Sequence, residues 1–113
     1  MLIIYKVTKN FPSEERFGLT SDIRRSANSI VHNIAEGFGR YSPKDKSRFY
    51  VISRGSTYEL FSQSLTAAAL QYTTEETAKD LTKKCQEIID ELDSLIKTVE
   101  TQGEQRHRMV SSS

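Results

Sequence analysis

Between Ala78 and Val99 the apolar residues fall at spacings that alternate between three and four: Ala78, Leu81, Cys85, Ile88, Leu92, Leu95 and Val99. A helix gathers such positions on one side, because it turns once every 3.6 residues; a strand would scatter them over both faces. An unbroken alternation is the seam of a helix that packs along its length on other helices. Thr73-Thr74-Glu75-Glu76 precedes it, and Thr73 with Glu76 predicts a capping box at its start. Gly103 is expected to end it.

Three more helices are expected upstream. The first runs from about Leu2 to Lys9 and stops before Asn10-Phe11-Pro12, because Pro12 disfavours helical geometry at Phe11. Ser13 to Gly18 reads as a loop. The second begins near Thr20 or Ser21, with a hydroxyl as N-cap. Its stripe is Ile23, Ala27, Ile30, Val31, Ile34 and Phe38, and Gly37 and Gly39 stop it through the left-handed conformation. The third has Ser42 as N-cap, Pro43 in the first position and Asp45 in the third, and runs to about Gln71. Phe49, Ile52, Ser56, Leu60 and Ala67 share one side of it. Ser53, Gly55 and Ser56 form a shallow groove at its centre. Gly55 costs about 1 kcal/mol against Ala inside a helix, and close approach of another backbone is the simplest reason to carry it.

The expected fold is all-α: an antiparallel up-down-up-down four-helix bundle with a short first helix. Residues 1–103 form the bundle domain, and residues 104–113 a disordered C-terminal tail. The apolar content is 36% of 113 residues, below the roughly 45% usual for globular domains. Narrow helical stripes fit that figure; a β-sandwich or an α/β fold does not. The first helix is too short to span the others, so part of the core stays uncovered. Either the third and fourth helices pack against another subunit, or earlier turns are missing and Met1 is an internal methionine.

Some classes are disfavoured at once. Cys85 is the only cysteine, which leaves no disulfide within the chain and no zinc cluster. No apolar run approaches the 18 residues of a membrane span. Met1 to Tyr5 lacks a basic region and a cleavage site, so a cytoplasmic location without a membrane partner is expected.

The net charge of +1 conceals a division. Residues 1–58 carry ten Lys/Arg against five Asp/Glu, while residues 59–103 carry four against nine. Arg24, Arg25, Arg40, Lys44, Lys46, Arg48 and Arg54 concentrate the positive charge, with Tyr41, Tyr50 and Tyr58 among them. Cations neutralise phosphates and aromatic rings stack on unpaired bases. Backbone donors at Ser42-Pro43-Lys44 suit an anion. The other reading is a solvated basic face that pairs with the acidic fourth helix, within or between subunits.

No catalytic constellation is visible. His32 and His107 are isolated, and Cys85 takes a seam position as a small buried hydrophobe. Gly37-Phe38-Gly39-Arg40 lacks the strand and third glycine of a phosphate loop. Glu36 and Glu59 lack the histidines of a di-iron site, and an ion pair with Arg25 or Arg54 is expected for them. No catalytic residue, metal or cofactor is assigned.

The string from Leu19 to Arg40, containing Arg24-Arg25 and Asn33-Ile34-Ala35-Glu36-Gly37, is distinctive. With Phe11-Pro12 before it and Arg54-Gly55-Ser56 and Glu59-Leu60 after it, it resembles the bacterial four-helix-bundle proteins encoded in intervening sequences of 23S ribosomal RNA genes. The likeness covers residues 5–60. Relatives usually carry further turns before Tyr5-Lys6, Gln where Asp22 stands, and an aliphatic residue where Tyr50 stands. The resemblance implies a homopentameric ring, similar to the accessory proteins of diversity-generating retroelements, which bind nucleic acid and a reverse transcriptase. By the same resemblance Asn33, Glu36, Arg54, Gly55, Ser56 and Glu59 maintain bundle and ring packing. Asp22 sets a negative charge beside Arg25.

The expected function is therefore a non-enzymatic, ring-forming bundle. It binds structured RNA or DNA with low sequence preference through Arg24, Arg25, Arg40, Tyr41, Lys44, Lys46 and Arg48. The alternative is a scaffolding oligomer whose basic and acidic faces pair between subunits, with no nucleic-acid role.

Overall fold

The computed structural model describes residues 2–112, with side chains to Val110. Met1, the first residue of the expected bundle domain, and Ser113, the last of the expected tail, lie outside the described residues. The described chain forms α1 (Leu2–Thr8), a 3-10 turn (Ser13–Glu15), α2 (Leu19–Gly39), α3 (Pro43–Ala69) and α4 (Glu75–Ser112), and contains no strand. The all-α bundle with a short first helix stands as expected.

Helix starts follow local chemistry. Ser42 Oγ accepts from the Asp45 amide at 3.1 Å, with Pro43 at the first position, as read from the sequence. The start of α4 shifts by one residue: Thr74, not Thr73, caps it, accepting from the Thr77 amide at 3.1 Å. Glu76 makes no box with Thr73. The expected hydroxyl cap on α2 is also corrected. α2 begins at Leu19, Gly18 precedes it without a side-chain cap, and Thr20 is buried instead. Ser13–Glu15 is a 3-10 turn rather than open loop, with Glu15 N bonded to Pro12 O at 3.0 Å.

Helix ends carry the larger corrections. α3 closes with a Schellman pair, Gln71 N to Ala68 O at 2.9 Å and Tyr72 N to Ala67 O at 2.9 Å. The left-handed residue is Gln71, at φ 63°, and no described glycine has positive φ. α4 runs on through Gly103 to Ser112, so the expected stop and the unstructured tail at 104–112 give way to helix. Gly103 lies inside α4 beside the start of α3, where a Cβ would meet Pro43 Cβ at 3.4 Å.

α3 is the central helix. α2 and α4 flank it, α1 lies on α2, and among the described residues α2 and α4 have no Cα pair within 8 Å. One apolar cluster joins Ile4, Phe11, Ile23, Ala27, Ile30, Leu60, Ala67, Leu81 and Cys85. A second, toward the α2–α3 turn, joins Tyr50, Leu92, Ile96 and Val99. The seam of α4 therefore slides mid-helix, with Ile89 and Ile96 buried, Ile88 half-buried and Leu95 exposed.

The α2–α3 contact is built from small and hydroxylated residues. α2 buries Ile23, Ser26, Ile30, Asn33 and Gly37, and α3 buries Tyr50, Ser53, Thr57, Leu60, Ser64 and Ala67. Both series keep the alternation of three and four. Val31 and Phe38, expected in the α2 stripe, are exposed, as is Ile52 of α3; Phe49 is only half-buried. Polar seam residues hide the true face from an apolar pattern. Their oxygens are paired: Ser53 Oγ donates to Ile30 O at 2.9 Å, and Ser29 and Ser56 hydroxyls meet at 2.8 Å. Thr57 and Ser64 donate to carbonyls one turn back, Ser53 O and Leu60 O, each at 2.8 Å. An unpaired buried hydroxyl costs about 1–3 kcal/mol; Ser26 Oγ alone among these residues has no partner.

Gly37 is a close-approach glycine rather than a left-handed stop. A Cβ on it would lie 2.6 Å from Tyr50 Cε1 and 3.2 Å from Lys46 O. Gly37→Ala is accordingly expected to lower the unfolding free energy by about 1–2 kcal/mol, overpacking outweighing the gain in helix propensity. Urea denaturation reads this out; a stabilised variant contradicts the packing.

Candidate nucleic-acid interface

The seven residues singled out for nucleic acid do not form one face. Arg24 sits near the start of α2 and Arg40 just beyond its end. Sixteen residues at 1.5 Å each place them about 24 Å apart. Arg24 is occupied in holding α1: its Nε donates to Thr8 Oγ1 at 2.9 Å and its guanidinium lies 4.8 Å from the Tyr5 ring centroid. Asn28 Nδ2 donates to the Tyr5 hydroxyl beside it at 2.9 Å. Arg25 is exposed and pairs with Asp22 at 3.6 Å, the juxtaposition anticipated from the sequence.

The remaining candidates do converge, at the end of the bundle where α2 turns into α3. Arg40 lies 3.1 Å from Glu36 and stacks 4.7 Å from the Phe49 centroid, with Arg48 at 4.8 Å from the same ring. Lys46 Nζ donates to Phe38 O at 2.9 Å and Gly37 O at 3.3 Å, and lies 5.8 Å from the Phe38 ring. A cation on those last carbonyls complements the negative end of the α2 dipole. Tyr41 is 85% exposed, and α4 brings the Arg106 guanidinium to 4.9 Å from its centroid. Lys44 lines a groove of about 440 Å³ with Pro43, Ser47, Val99, Glu100, Gly103 and Glu104.

This end is mixed in sign. Arg40, Lys44, Lys46, Arg48 and Arg106 share it with Glu36, Asp45, Glu100 and Glu104. Asp45 at the third position of α3 also sets a negative charge beside the amides of that helix start. The surface pair of Arg40 with Glu36 is worth about 0–1 kcal/mol, so a phosphate can compete for the guanidinium.

Tyr50 is only 2% exposed and belongs to the core, where burial raises its phenol pKa. Tyr58 is exposed on the outward face of α3. Asn33 bonds Ser29 O at 2.8 Å within α2, and Ser56 joins α3 to α2. Arg54 crosses to α4, pairing with Asp93 at 2.7 Å. The expected pairs of Glu36 and Glu59 with Arg25 or Arg54 are thus corrected: Glu36 takes Arg40, Arg54 takes Asp93, and Glu59 is exposed. Gly55 has no heavy atom of the kind that would crowd an added Cβ within 4 Å, so no backbone of this chain approaches it.

Gly55 lies on a second α3 seam, directed away from the core. Val51, Gly55, Tyr58, Ser62, Leu65 and Ala69 repeat at four, three, four, three and four, and all six are exposed. A separate gap is apolar as well. Below the short α1, a groove of about 260 Å³ is lined by Ile30, Val31, Ile34, Ile88, Leu92 and Leu95, with Glu91 at its edge.

Arg106, Phe38 and Phe49 are the site residues that sequence reading missed. A signal for Arg106 existed. The positions Val99, Gly103, Arg106 and Val110 continue the alternation of four and three past the glycine. Phe38 was assigned to the core on apolarity alone.

His32 and His107 are exposed, and among the described residues no three His, Cys, Asp or Glu side chains gather as metal ligands. Burial pushes the Cys85 thiol from its ordinary 9.0 up to about 11. The folded state therefore holds this proton more tightly than the unfolded state. Stability that depends on it is complete below about pH 9 and is lost between about 9 and about 11. Thiol alkylation at pH 8 is expected to be at least tenfold slower folded than in urea; equal rates contradict a buried Cys85.

The family model of the 23S rRNA-intervening sequence proteins matches residues 1–94. The chain belongs to that family. No curated protein matches it. The matched span includes the α2–α3 turn and its basic residues, and ends before Arg106.

Proposed function

We propose that the chain is a non-enzymatic, self-assembling helical bundle that binds structured nucleic acid at the α2–α3 end, with low sequence preference. The observation that carries the assembly is the outward seam of α3. A helix that repeats apolar and small residues on two opposite faces has a second helix surface to cover. The occupant is a further copy of the same chain. Gly55, which meets nothing within its own chain, gives that copy a point of close approach. Five copies in a ring is the count the family resemblance implies, and a cytoplasmic location goes with it. A reverse transcriptase is a candidate partner by likeness to the retroelement accessory proteins alone.

Binding is assigned to Arg40, Lys44, Lys46, Arg48 and Arg106, because these cations share one end of the bundle, whereas Arg24 stands about 24 Å away along α2. A ring would repeat that end once per subunit, so weak individual sites would act together. The scaffolding alternative draws support from Arg54 and Asp93, which already join the basic and acidic halves within one chain.

Light scattering at 50 µM is expected to give an assembly several times the 12.9 kDa chain. Leu65→Glu or Tyr58→Glu should release a helical monomer. A wild-type monomer contradicts the assembly. For binding, a labelled RNA hairpin should associate with affinity that falls steeply with salt, and Lys44→Glu with Arg48→Glu should weaken it across sequences. An assembly with no binding tighter than about 100 µM, the weak end for non-specific sites, favours the scaffold.

A further inference from the structure

Tyr41 is placed where packing gives it no reason to be aromatic. It sits in the short turn between α2 and α3, and the residues on either side are extended, Arg40 at φ −81°, ψ 150° and Ser42 at φ −80°, ψ 143°. The residue is 85% exposed, and Phe38, one turn earlier, is 79% exposed. Both rings carry a cation: Arg106 at 4.9 Å from the Tyr41 centroid and Lys46 Nζ at 5.8 Å from that of Phe38. An apolar partner would gain little here, since each ring is bordered by charge. A duplex would fit poorly as well. Its bases are stacked inside, and the carboxylates of Glu36, Asp45 and Glu104 weaken the field that would hold its phosphates.

A flat ring held on an ordered turn, with a guanidinium against one side and most of its surface open, is a platform for one more flat group. Bases stack on such rings with little regard to sequence, while neighbouring cations take the flanking phosphates. We infer that the α2–α3 turn of this protein is a stacking site for unpaired nucleotides. Tyr41 takes the base, Arg106 backs the ring, and Arg40 with Lys46 meets the adjoining phosphates. The inference rests on the nucleic-acid reading above and narrows it to single-stranded stretches, such as the loop of a structured RNA. It also gives the last turns of α4 a function, since they deliver Arg106 to the ring.

Fluorescence anisotropy of the full-length chain tests it, with a labelled 12-nucleotide oligouridine and a 12-base-pair RNA duplex at 50 mM salt. The single strand is expected to bind more tightly than the duplex. Tyr41→Ala should weaken the single strand about fivefold or more, the low end for one stacked base, and change the duplex less than twofold. Tyr41→Phe should bind as the wild type does. Circular dichroism should show all three chains equally helical, because the residue is exposed. Equal losses on both probes, or no loss on the single strand, overturns the stacking site. Duplex binding without single-strand binding overturns it and leaves the broader reading standing. Binding of neither probe overturns both.

Discussion

The close approach of α2 to α3 is the constraint on which the molecule depends. Gly37 gives up its side chain so that the Tyr50 ring can lie against the helix, and Ser53 reaches across to the carbonyl of Ile30. Small residues bring two helices together, but they bury little apolar area for each residue spent. The contact compensates with density and with hydrogen bonds that leave nearly every buried hydroxyl paired. Because α3 is held this closely to α2 on one side and to α4 on the other, it is the axis of the bundle. The position of everything else, including the α2–α3 turn and its cations, follows from it.

That arrangement recasts the low apolar content. A fraction of 36% suggests a core too small to stand alone. Part of the deficit is filled by Ser26, Ser53, Thr57 and Ser64, which are buried yet polar. What stays open is specific: the groove beside Val31 and Ile88, which the seven residues of α1 do not reach, and the outward seam of α3. These two surfaces, one apolar and one of apolar and small residues, are what the proposed assembly would cover. The charge division is met in part within the chain, where Arg54 of α3 pairs with Asp93 of α4 at 2.7 Å.

Much of the fold was legible because its signals are local. The Ser42-Pro43-Asp45 start, the stop before Pro12 and the number of helices are set by capping and backbone chemistry, which a sequence displays directly. Seam assignments failed where the buried face is polar. Ile23, Ala27 and Ile30 of the expected α2 stripe are buried, but Val31 and Phe38 widen it beyond the true face, because Asn33 and Gly37 give no apolar signal. Glycine misled twice, since Gly37 marks a close helix contact and Gly103 lies inside α4, while the left-handed turn falls to Gln71. The candidate site was half legible. Arg40, Lys44, Lys46 and Arg48 are near in sequence and stay near in space. Arg24 and Arg25 are drawn away by the length of α2, and Arg106 arrives from a segment that appeared unstructured by composition. Which cations a long helix separates, and which a distant one delivers, is tertiary information.

α3 carries apolar and small residues on two faces, and one of them is buried within the chain. Small-angle X-ray scattering tests most directly whether assembly covers the other, because the radius of gyration of a single chain is 17.2 Å over its Cα atoms. Assembly through the outward face would give a radius well above that value at 50 µM, with a particle volume several times that of one chain. A radius near 17 Å and the volume of one chain at the same concentration would contradict it.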